Sequence, residues 1–268
     1  MSTKNEAVPG DHATDVSAST DQFPPAVGLV ERIEGVGDLL DLLRSLPPGQ
    51  PSWFRGQLDV NWKLQPSLLR QKRWITAETD MLRRFRQEAA GRTTSRPDDE
   101  WSWLCLAQHH RLPTRLLDWS ANPLVALFFS VEQDGDESGP VDAAFYVLDP
   151  TSLNSATIKT PNVLLIGADE ELEPYLPKSR SETPTGPVAV VAQQDFGRIM
   201  AQSGVFTLTH HLDYQDFEFW GGQSLHKWEV PVTAKERIRN ELDAMNIHDA
   251  SVYLDLDRYG ERIRKMYL

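Results

Sequence analysis

Apolar side chains recur along this chain at two spacings, one typical of helices and one typical of strands. From position 36 to position 46, leucines follow helical spacing until Pro47-Pro48-Gly49 stops the pattern. Residues 124–131 are apolar on nearly every side, which is typical of a helix buried at the centre of a domain. The same patterns predict further helices at 74–91, 98–110, 196–202, 233–245 and 254–266.

Stretches rich in β-branched and aromatic residues predict the strands. They occupy 29–33, 51–57, 114–119, 141–148, 187–192, 204–209 and 224–230, and an aromatic loop is expected at 212–223. Helices and strands do not alternate along the chain, so the predicted fold class is α+β. We expect a single domain with an antiparallel or mixed β core flanked by helices.

Two stretches lack these regular patterns. Residues 1–27 are rich in Ser, Thr, Ala, Asp and Pro, the composition of a disordered leader. Residues 150–187 are polar and rich in proline, which predicts a long excursion from the domain rather than a second domain. The domain itself is therefore placed at residues 28–268.

Composition narrows the classes of protein to consider. The net charge of −12 argues against a surface that traps phosphates everywhere. The charge is uneven, because residues 55–96 carry ten Lys and Arg against four acids, a net +6 that leaves −18 for the remainder. The chain shows neither an apolar run of about 18 residues nor a secretory signal, so we expect a cytoplasmic protein without a membrane partner. Its one cysteine, Cys105, fits a reducing compartment.

Side chains suited to chemistry concentrate in two segments. The first is PSWFRGQ at 51–57, and the second is WSWLCLAQHHRLPTRLLDWSANPLVALFFSV at 101–131. The polar run of the second segment lies between two apolar stretches, so we expect it to face a cleft with Arg55 on the opposite side. Arginine holds phosphate through a planar, bidentate fork. Gly56 would let the backbone approach a ligand closely.

These segments resemble a known family. WFRGQ at 53–57, WKLQPSL at 62–68 and AQHHRLPTRLLDWSANPLVALFFS at 107–130 look like the FRG domain, a prokaryotic family named for its Phe-Arg-Gly motif. RIMAQSGVFTL at 198–208 is similar to its third element, so the core motifs are 51–57, 101–131 and 198–209. The resemblance implies an effector of the bacterial toxin or antiphage-defence type.

The three segments are also similar, more distantly, to the core strands of ADP-ribosyltransferases of the Arg-Ser-Glu class. This likeness implies an ADP-ribosyltransferase-like fold, in which Arg55 holds a phosphate or ribose of NAD and Ser120 contacts the nicotinamide ribose region. The class places a glutamate at the third position, where this chain has Gln202. An amide cannot supply the negative charge that stabilises a developing oxocarbenium ion. Either another carboxylate substitutes, with Asp118 and Glu88 as the candidates, or the domain binds a nucleotide without turning it over.

Together, the motifs and the resemblances predict an ADP-ribosyltransferase or NAD glycohydrolase. The residues assigned to catalysis are Arg55, His109, Asp118, Ser120 and Gln202, and those assigned to substrate binding are Gly56, Gln57, Gln108, His110, Arg115 and Trp119. NAD is the expected substrate, and a protein or nucleic acid is the expected acceptor. No metal is expected, because the paired-Cys and HExxH spacings of metal sites do not occur.

Other interpretations of the same residues stay open. Arg55 and Asp118 can form a buried ion pair between strands, and His109 and His110 can favourably end a helix. Most of five tryptophans are expected in the core: Trp53, Trp62, Trp101, Trp103 and Trp119. The alternative functions are a non-catalytic module, which senses a nucleotide or binds RNA through residues 55–96, and a metal-independent nuclease that uses His109 or His110 as acid and base.

Overall fold

Seven β-strands form one mixed sheet in a computed structural model, which describes residues 31–93, 97–133, 140–179, 185–192, 204–210 and 217–268. The strands are β1 (Trp53–Gln57), β2 (Leu116–Ser120), β3 (Ala143–Leu148), β4 (Leu164–Leu165), β5 (Val188–Val191), β6 (Gly204–Leu208) and β7 (Leu225–Val230). Their order is β4-β5-β6-β2-β1-β3-β7. Every pair of described strands is antiparallel except β4 with β5, which is parallel.

The sheet is nearly split between β1 and β2. These two strands are in register at a single pair, Phe54 with Ser120. By contrast, β1 pairs with β3 at five positions and β2 pairs with β6 at five positions. The sheet therefore consists of a first half-sheet (β1, β3 and β7) and a second half-sheet (β2, β4, β5 and β6), which part beyond Phe54.

Helices cover the sheet and confirm the α+β fold class. They are α1 (Val36–Ser45), α2 (Lys72–Ala89), α3 (Glu100–His109), α4 (Pro123–Val131), α5 (Pro150–Ile158), α6 (Phe217–Gly221), α7 (Lys235–Ala244), α8 (Asp249–Tyr253) and α9 (Leu256–Met266). As the sequence predicts, α4 is largely buried in the main core, together with side chains of α1, α7 and the first half-sheet. Asn122 caps α4, because its side chain accepts a hydrogen bond from the Leu124 backbone N–H at 3.0 Å.

Helix α4 can lie directly on β1 because residue 56 is glycine. A Cβ atom built on Gly56 would come 2.1 Å from the Ala126 carbonyl oxygen and 2.5 Å from the Ser130 backbone nitrogen. Any side chain at this position would collide with the helix backbone. The glycine of the Phe-Arg-Gly motif thus permits contact with α4, whereas the sequence had suggested contact with a ligand.

Several predicted elements need correction. Residues 150–187 include α5, β4 and a 3₁₀ helix at Glu170–Tyr175, and the expected loop at 212–223 contains α6. The predicted strand at 29–33 is represented by one bridge, Arg32 with Glu229. The helix predicted at 254–266 is present as α9, and the unpredicted helix α8 precedes it, with Leu254 between them in a left-handed conformation. The predicted leader at 1–27 and helix at 196–202 lie outside the described residues.

Candidate functional site

A cavity of about 420 Å³ lies where the two half-sheets part, between β1, β2 and the end of α3. It has the size of ordinary small-molecule sites. Both predicted motifs contribute to its wall. Eight of the predicted site residues line it: Arg55, Gly56, Gln57, Gln108, His109, Asp118, Trp119 and Ser120.

Arg55 reaches across the split from one half-sheet to the other. Its Nη1 donates a hydrogen bond to the backbone carbonyl oxygen of Asp118 at 2.5 Å. Its Nε is buried and has no hydrogen-bond partner among the residues described. Burial lowers the pKa of the Arg55 guanidinium, which the charge of Asp118 opposes and that of Arg70 reinforces. Arginine stays protonated in proteins even so.

The carboxylate of Asp118 is held by an amide rather than by Arg55. Gln108 Nε2 donates to both carboxylate oxygens of Asp118, at 3.0 Å and 2.9 Å. The buried Thr114 hydroxyl donates in turn to Gln108 Oε1, which fixes the orientation of that amide. The Arg55–Asp118 ion pair considered from the sequence does not occur in the described part of the chain. A relay from Thr114 through Gln108 to Asp118 takes its place.

The other predicted residues of β2 point to different sides of the strand. Ser120 is buried, and its hydroxyl accepts a hydrogen bond from the Asn122 backbone N–H at 3.0 Å. The Trp119 indole donates to the Thr207 hydroxyl at 3.1 Å and packs against the Phe217 ring. The indole of Trp119 therefore belongs to the core, although the residue borders the cavity.

Three residues considered from the sequence, His110, Arg115 and Glu88, are not among the described residues that line the cavity. His110 packs against the ring of Phe85, at a centroid distance of 6.0 Å. The buried Arg115 forms an ion pair with Glu78 of α2 and donates a third hydrogen bond to the Tyr175 carbonyl oxygen at 3.0 Å. Glu88 forms an exposed pair with Arg84 on α2. Gln202 lies outside the described residues, two positions before Gly204 in the cavity wall.

The cavity residues that were not predicted as site residues include Trp62, Arg70 and Arg111. Arg70 ends a 3₁₀ helix at Ser67–Arg70, which is tied to the second motif by a hydrogen bond from the Leu68 N–H to the Thr114 carbonyl oxygen at 3.1 Å. Arg111 follows α3 with a left-handed backbone, φ 63°. The basic segment hinted at Arg70, but no local pattern marks either arginine as a site residue.

The tryptophans show the same division between core and site. Trp53, Trp101, Trp103 and Trp119 are buried, which confirms the core interpretation for those four. Trp62 is 40% exposed and lines the cavity, so that interpretation is wrong for this residue. An aromatic face is thus available to a ligand ring at the mouth of the cavity.

The cavity wall has an excess of positive charge in a protein with an excess of acids. Its arginines are Arg55, Arg70 and Arg111, and none of them forms an ion pair within the described ranges. Asp118 is the single carboxylate among the described lining residues. On α2, by contrast, Arg84 pairs with Glu88 and Arg86 with Glu100. Arginines without an acidic partner among the described residues thus gather at the cavity, where an anion can reach them.

Cys105 also lines the cavity, but its thiol stays protonated. Its side chain is buried, and burial raises the pKa of the thiol from its ordinary value to about 12. The thiol is therefore neutral at physiological pH. Across the described ranges, His, Cys, Asp and Glu side chains do not gather in a group of three or more that could hold a metal ion.

Comparison with protein families agrees with these motifs. Residues 50–139 match the model of the FRG domain. The chain carries an FRG domain. The matched segment runs from just before β1 to beyond α4, so it contains Arg55, Asp118 and most of the cavity wall. The third motif at 198–209 lies outside it.

No curated protein and no solved structure matches the chain. The FRG domain therefore identifies the family of the matched segment without naming a reaction. In the part of the chain that the structure describes, none of the helices is both long and apolar enough to span a lipid bilayer.

Proposed function

We propose that the FRG-domain cavity binds NAD and cleaves its bond to nicotinamide, with water or a macromolecule as the acceptor of ADP-ribose. The observation that carries the proposal is the set of three arginines around one cavity that form no ion pair with any described residue, in a chain of net charge −12. Uncompensated arginines suit a ligand with phosphate groups. The exposed ring of Trp62 suits a ligand that also carries a flat base.

Arg55 is the central phosphate-binding group in this proposal. It uses one of its N–H groups on the Asp118 carbonyl oxygen, and the rest of the guanidinium has no partner among the described residues. Because the carbonyl bond fixes the direction of the guanidinium, the ligand need not order it. Arg70 and Arg111 add positive charge from the rim.

Asp118 is the carboxylate placed to assist bond cleavage. As the bond between ribose C1′ and nicotinamide nitrogen breaks, both electrons leave on neutral nicotinamide, and positive charge develops on the ribose. The Asp118 carboxylate stabilises that charge, and Gln108 holds the carboxylate in one orientation. Water or an acceptor hydroxyl then bonds to C1′ and gives its proton to Asp118. Ser120 would contact the nicotinamide ribose, and His109 would orient the ligand.

The proposal extends to biological role through the family. Resemblance to the FRG family implies an effector of the bacterial toxin or antiphage-defence type. We therefore propose that the protein acts as such an effector in the cytoplasm, with a protein or nucleic acid as the acceptor of ADP-ribose. An RNA-binding role for α2 has less support, because Arg84 and Arg86 are already engaged by acids. The nuclease alternative rests on His109 alone, which lines the cavity, because His110 packs on Phe85 instead.

The test measures NAD binding by calorimetry and nicotinamide release by mass spectrometry. Arg55→Lys keeps the charge but loses the planar fork, and we expect it to weaken NAD binding at least about tenfold. Asp118→Asn keeps the shape but loses the charge, and should lower nicotinamide release about 100-fold or more while NAD still binds. Arg44→Lys, a change at an exposed residue that does not line the cavity, is the matched control.

The outcomes separate the candidate functions. NAD binding without nicotinamide release, in the presence and absence of cell lysate, would favour the nucleotide-sensing module over the enzyme. Failure of NAD to bind the unmodified protein would overturn the proposal altogether. Equal binding by Arg55→Lys and Arg44→Lys would show that the cavity arginine is not the phosphate-binding group.

A further inference from the structure

Two buried polar atoms of β1, both on residues that line the cavity, lack hydrogen-bond partners among the described residues. Nε of Arg55 is a hydrogen-bond donor and Oε1 of Gln57 is an acceptor, and neither has a partner among the described residues. The two side chains leave the strand on the same face, because residues two apart in a strand share a face. Buried polar groups in proteins are almost always paired. An unmatched donor and acceptor side by side therefore indicate a ligand that supplies both partners.

The orientation of the Gln57 amide follows from its surroundings. The side chain is 4% exposed, and its Nε2 faces the carbonyl oxygen of Lys63 at 3.5 Å. The amide nitrogen thus has an acceptor nearby, whereas no described residue donates to the oxygen. The terminal torsion of glutamine is soft, so a small rotation presents this oxygen to a molecule in the cavity.

Gln57 differs in kind from the other polar groups of the wall. Arg55, Arg70 and Arg111 are donors only, and the Asp118 carboxylate already accepts two hydrogen bonds from Gln108. Gln57 Oε1 is thus a neutral acceptor without a partner among the described residues, in a wall rich in donors. It is suited to an uncharged N–H group on an otherwise anionic ligand.

We propose that Gln57 accepts a hydrogen bond from the carboxamide N–H of NAD and thereby selects the amide over the corresponding carboxylic acid. This inference rests on the proposed function, because it assigns the nicotinamide end of NAD to Gln57 and a phosphate to Arg55. The two residues lie about 7 Å apart along the strand. In NAD, one ribose and one ring separate the carboxamide from the nearest phosphate, which suits neighbouring subsites.

The positive charge of the cavity wall makes a preference for the amide over the carboxylic acid a clear test of the role of Gln57. Three arginines that form no ion pair with a described residue attract negative charge. Their charge alone would therefore favour the nicotinic acid form of the dinucleotide, which carries one more carboxylate. The lone pairs of Gln57 Oε1 repel that carboxylate and attract an amide N–H. A preference for the amide therefore requires the acceptor, and the arginines alone would produce the opposite preference.

The experiment compares three dinucleotides by calorimetry: NAD, its nicotinic acid analogue and its hypoxanthine analogue, which lacks the adenine amino group. They are titrated into the wild-type protein, Gln57→Met, Gln57→Glu and the exposed control Gln87→Met. Methionine conserves the volume but removes the acceptor, and glutamate keeps the acceptor and removes the donor. Circular dichroism spectra and melting curves of all four proteins show whether each is folded.

We expect wild-type protein and Gln87→Met to bind NAD about tenfold more tightly than the nicotinic acid analogue, the effect of one hydrogen bond to a buried group. In Gln57→Met this ratio should fall to about one or invert, while in Gln57→Glu it should be kept or increased. An unchanged ratio in Gln57→Met, with NAD still bound, would overturn this inference and leave the proposed function intact.

Two other outcomes would also contradict the assignment of Gln57 to the carboxamide of NAD. If Gln57→Met loses its discrimination against the hypoxanthine analogue instead, Gln57 contacts adenine and the carboxamide assignment is wrong. If none of the three dinucleotides binds the wild-type protein, the proposed function fails, and the assignment of Gln57 fails with it.

Discussion

At the scale of single residues, two arginines of the predicted site serve different purposes. Arg55 and Arg115 both belong to motifs that the sequence singled out. Arg115 is buried with two hydrogen bonds to Glu78 and one to the Tyr175 carbonyl oxygen, so its charge is fully engaged. Arg55 has a single hydrogen bond. The partner, rather than the motif, makes Arg115 a structural residue and Arg55 a binding residue.

Arg115→Met should strongly destabilise the protein, because it leaves the Glu78 carboxylate buried without a counter-charge. We expect a loss of about 3–5 kcal/mol in the free energy of unfolding, measured by chemical denaturation. Arg84→Met removes one partner of the exposed Arg84–Glu88 pair and should cost less than about 1 kcal/mol.

The combined change Glu78→Leu with Arg115→Met provides the decisive comparison. Replacing both members of a buried pair by apolar groups is often nearly neutral, so the double variant should recover most of the lost stability. A double variant as unstable as Arg115→Met alone would contradict the view that the uncompensated charge causes the loss.

At the scale of secondary-structure elements, the site depends on the contact between β1 and α4. The helix rests on the strand where Gly56 has no side chain, and the same strand carries Arg55 and Gln57 into the cavity. Asn122 begins the helix directly after β2 ends at Ser120. One helix thus ties together the two strands whose side chains form the site.

Gly56→Ala should disrupt this contact. The new methyl group would meet the backbone of α4 at Ala126, which cannot move away as a flexible side chain could. Overpacking a core typically costs 1–3 kcal/mol, and we expect about 3 kcal/mol or more here, measured as a lower midpoint of thermal or urea unfolding.

Gly37→Ala in α1 is the matched control for that change. A Cβ atom at Gly37 meets nothing within 4 Å, and alanine favours the helix, so this variant should be as stable as the wild type or up to about 1 kcal/mol more stable. Equal stability of the two alanine variants would contradict the proposed role of Gly56.

At the scale of the whole molecule, the cavity lies between two half-sheets joined at a single residue pair. Its wall takes Arg55 and Gln57 from the first half-sheet and Asp118 and Ser120 from the second. A ligand held by both walls would add contacts across the split, where the strands themselves share few. Ligand binding and the cohesion of the sheet are therefore expected to be coupled.

NAD at about 100 times its dissociation constant should raise the free energy of unfolding by about 2.7 kcal/mol. Hydrogen exchange followed by mass spectrometry should show slower exchange in peptides from both β1 and β2. Protection confined to one half-sheet would contradict a ligand that bridges the split. If its NAD binding is about tenfold weaker, Arg55→Lys should keep only about half of the added stability at the same NAD concentration, whereas Arg44→Lys should keep all of it.

The sequence alone determined the α+β class, most helices and strands, the buried position of α4 and the two motifs of the FRG domain. These features depend on local information: the spacing of apolar residues, a cap such as Asn122, and runs of residues long enough to identify a family. Local patterns also predicted that the two motifs meet, and eight of the predicted residues do line one cavity.

Only the tertiary structure decided what each polar residue does. Arg115 is engaged by a glutamate 37 positions earlier, and Arg70 reaches the cavity through a hydrogen bond between distant segments. The split between β1 and β2 likewise results from pairing between strands far apart in the chain. Spacing along the chain does not encode these partners, because burial and charge compensation arise only when remote segments pack together.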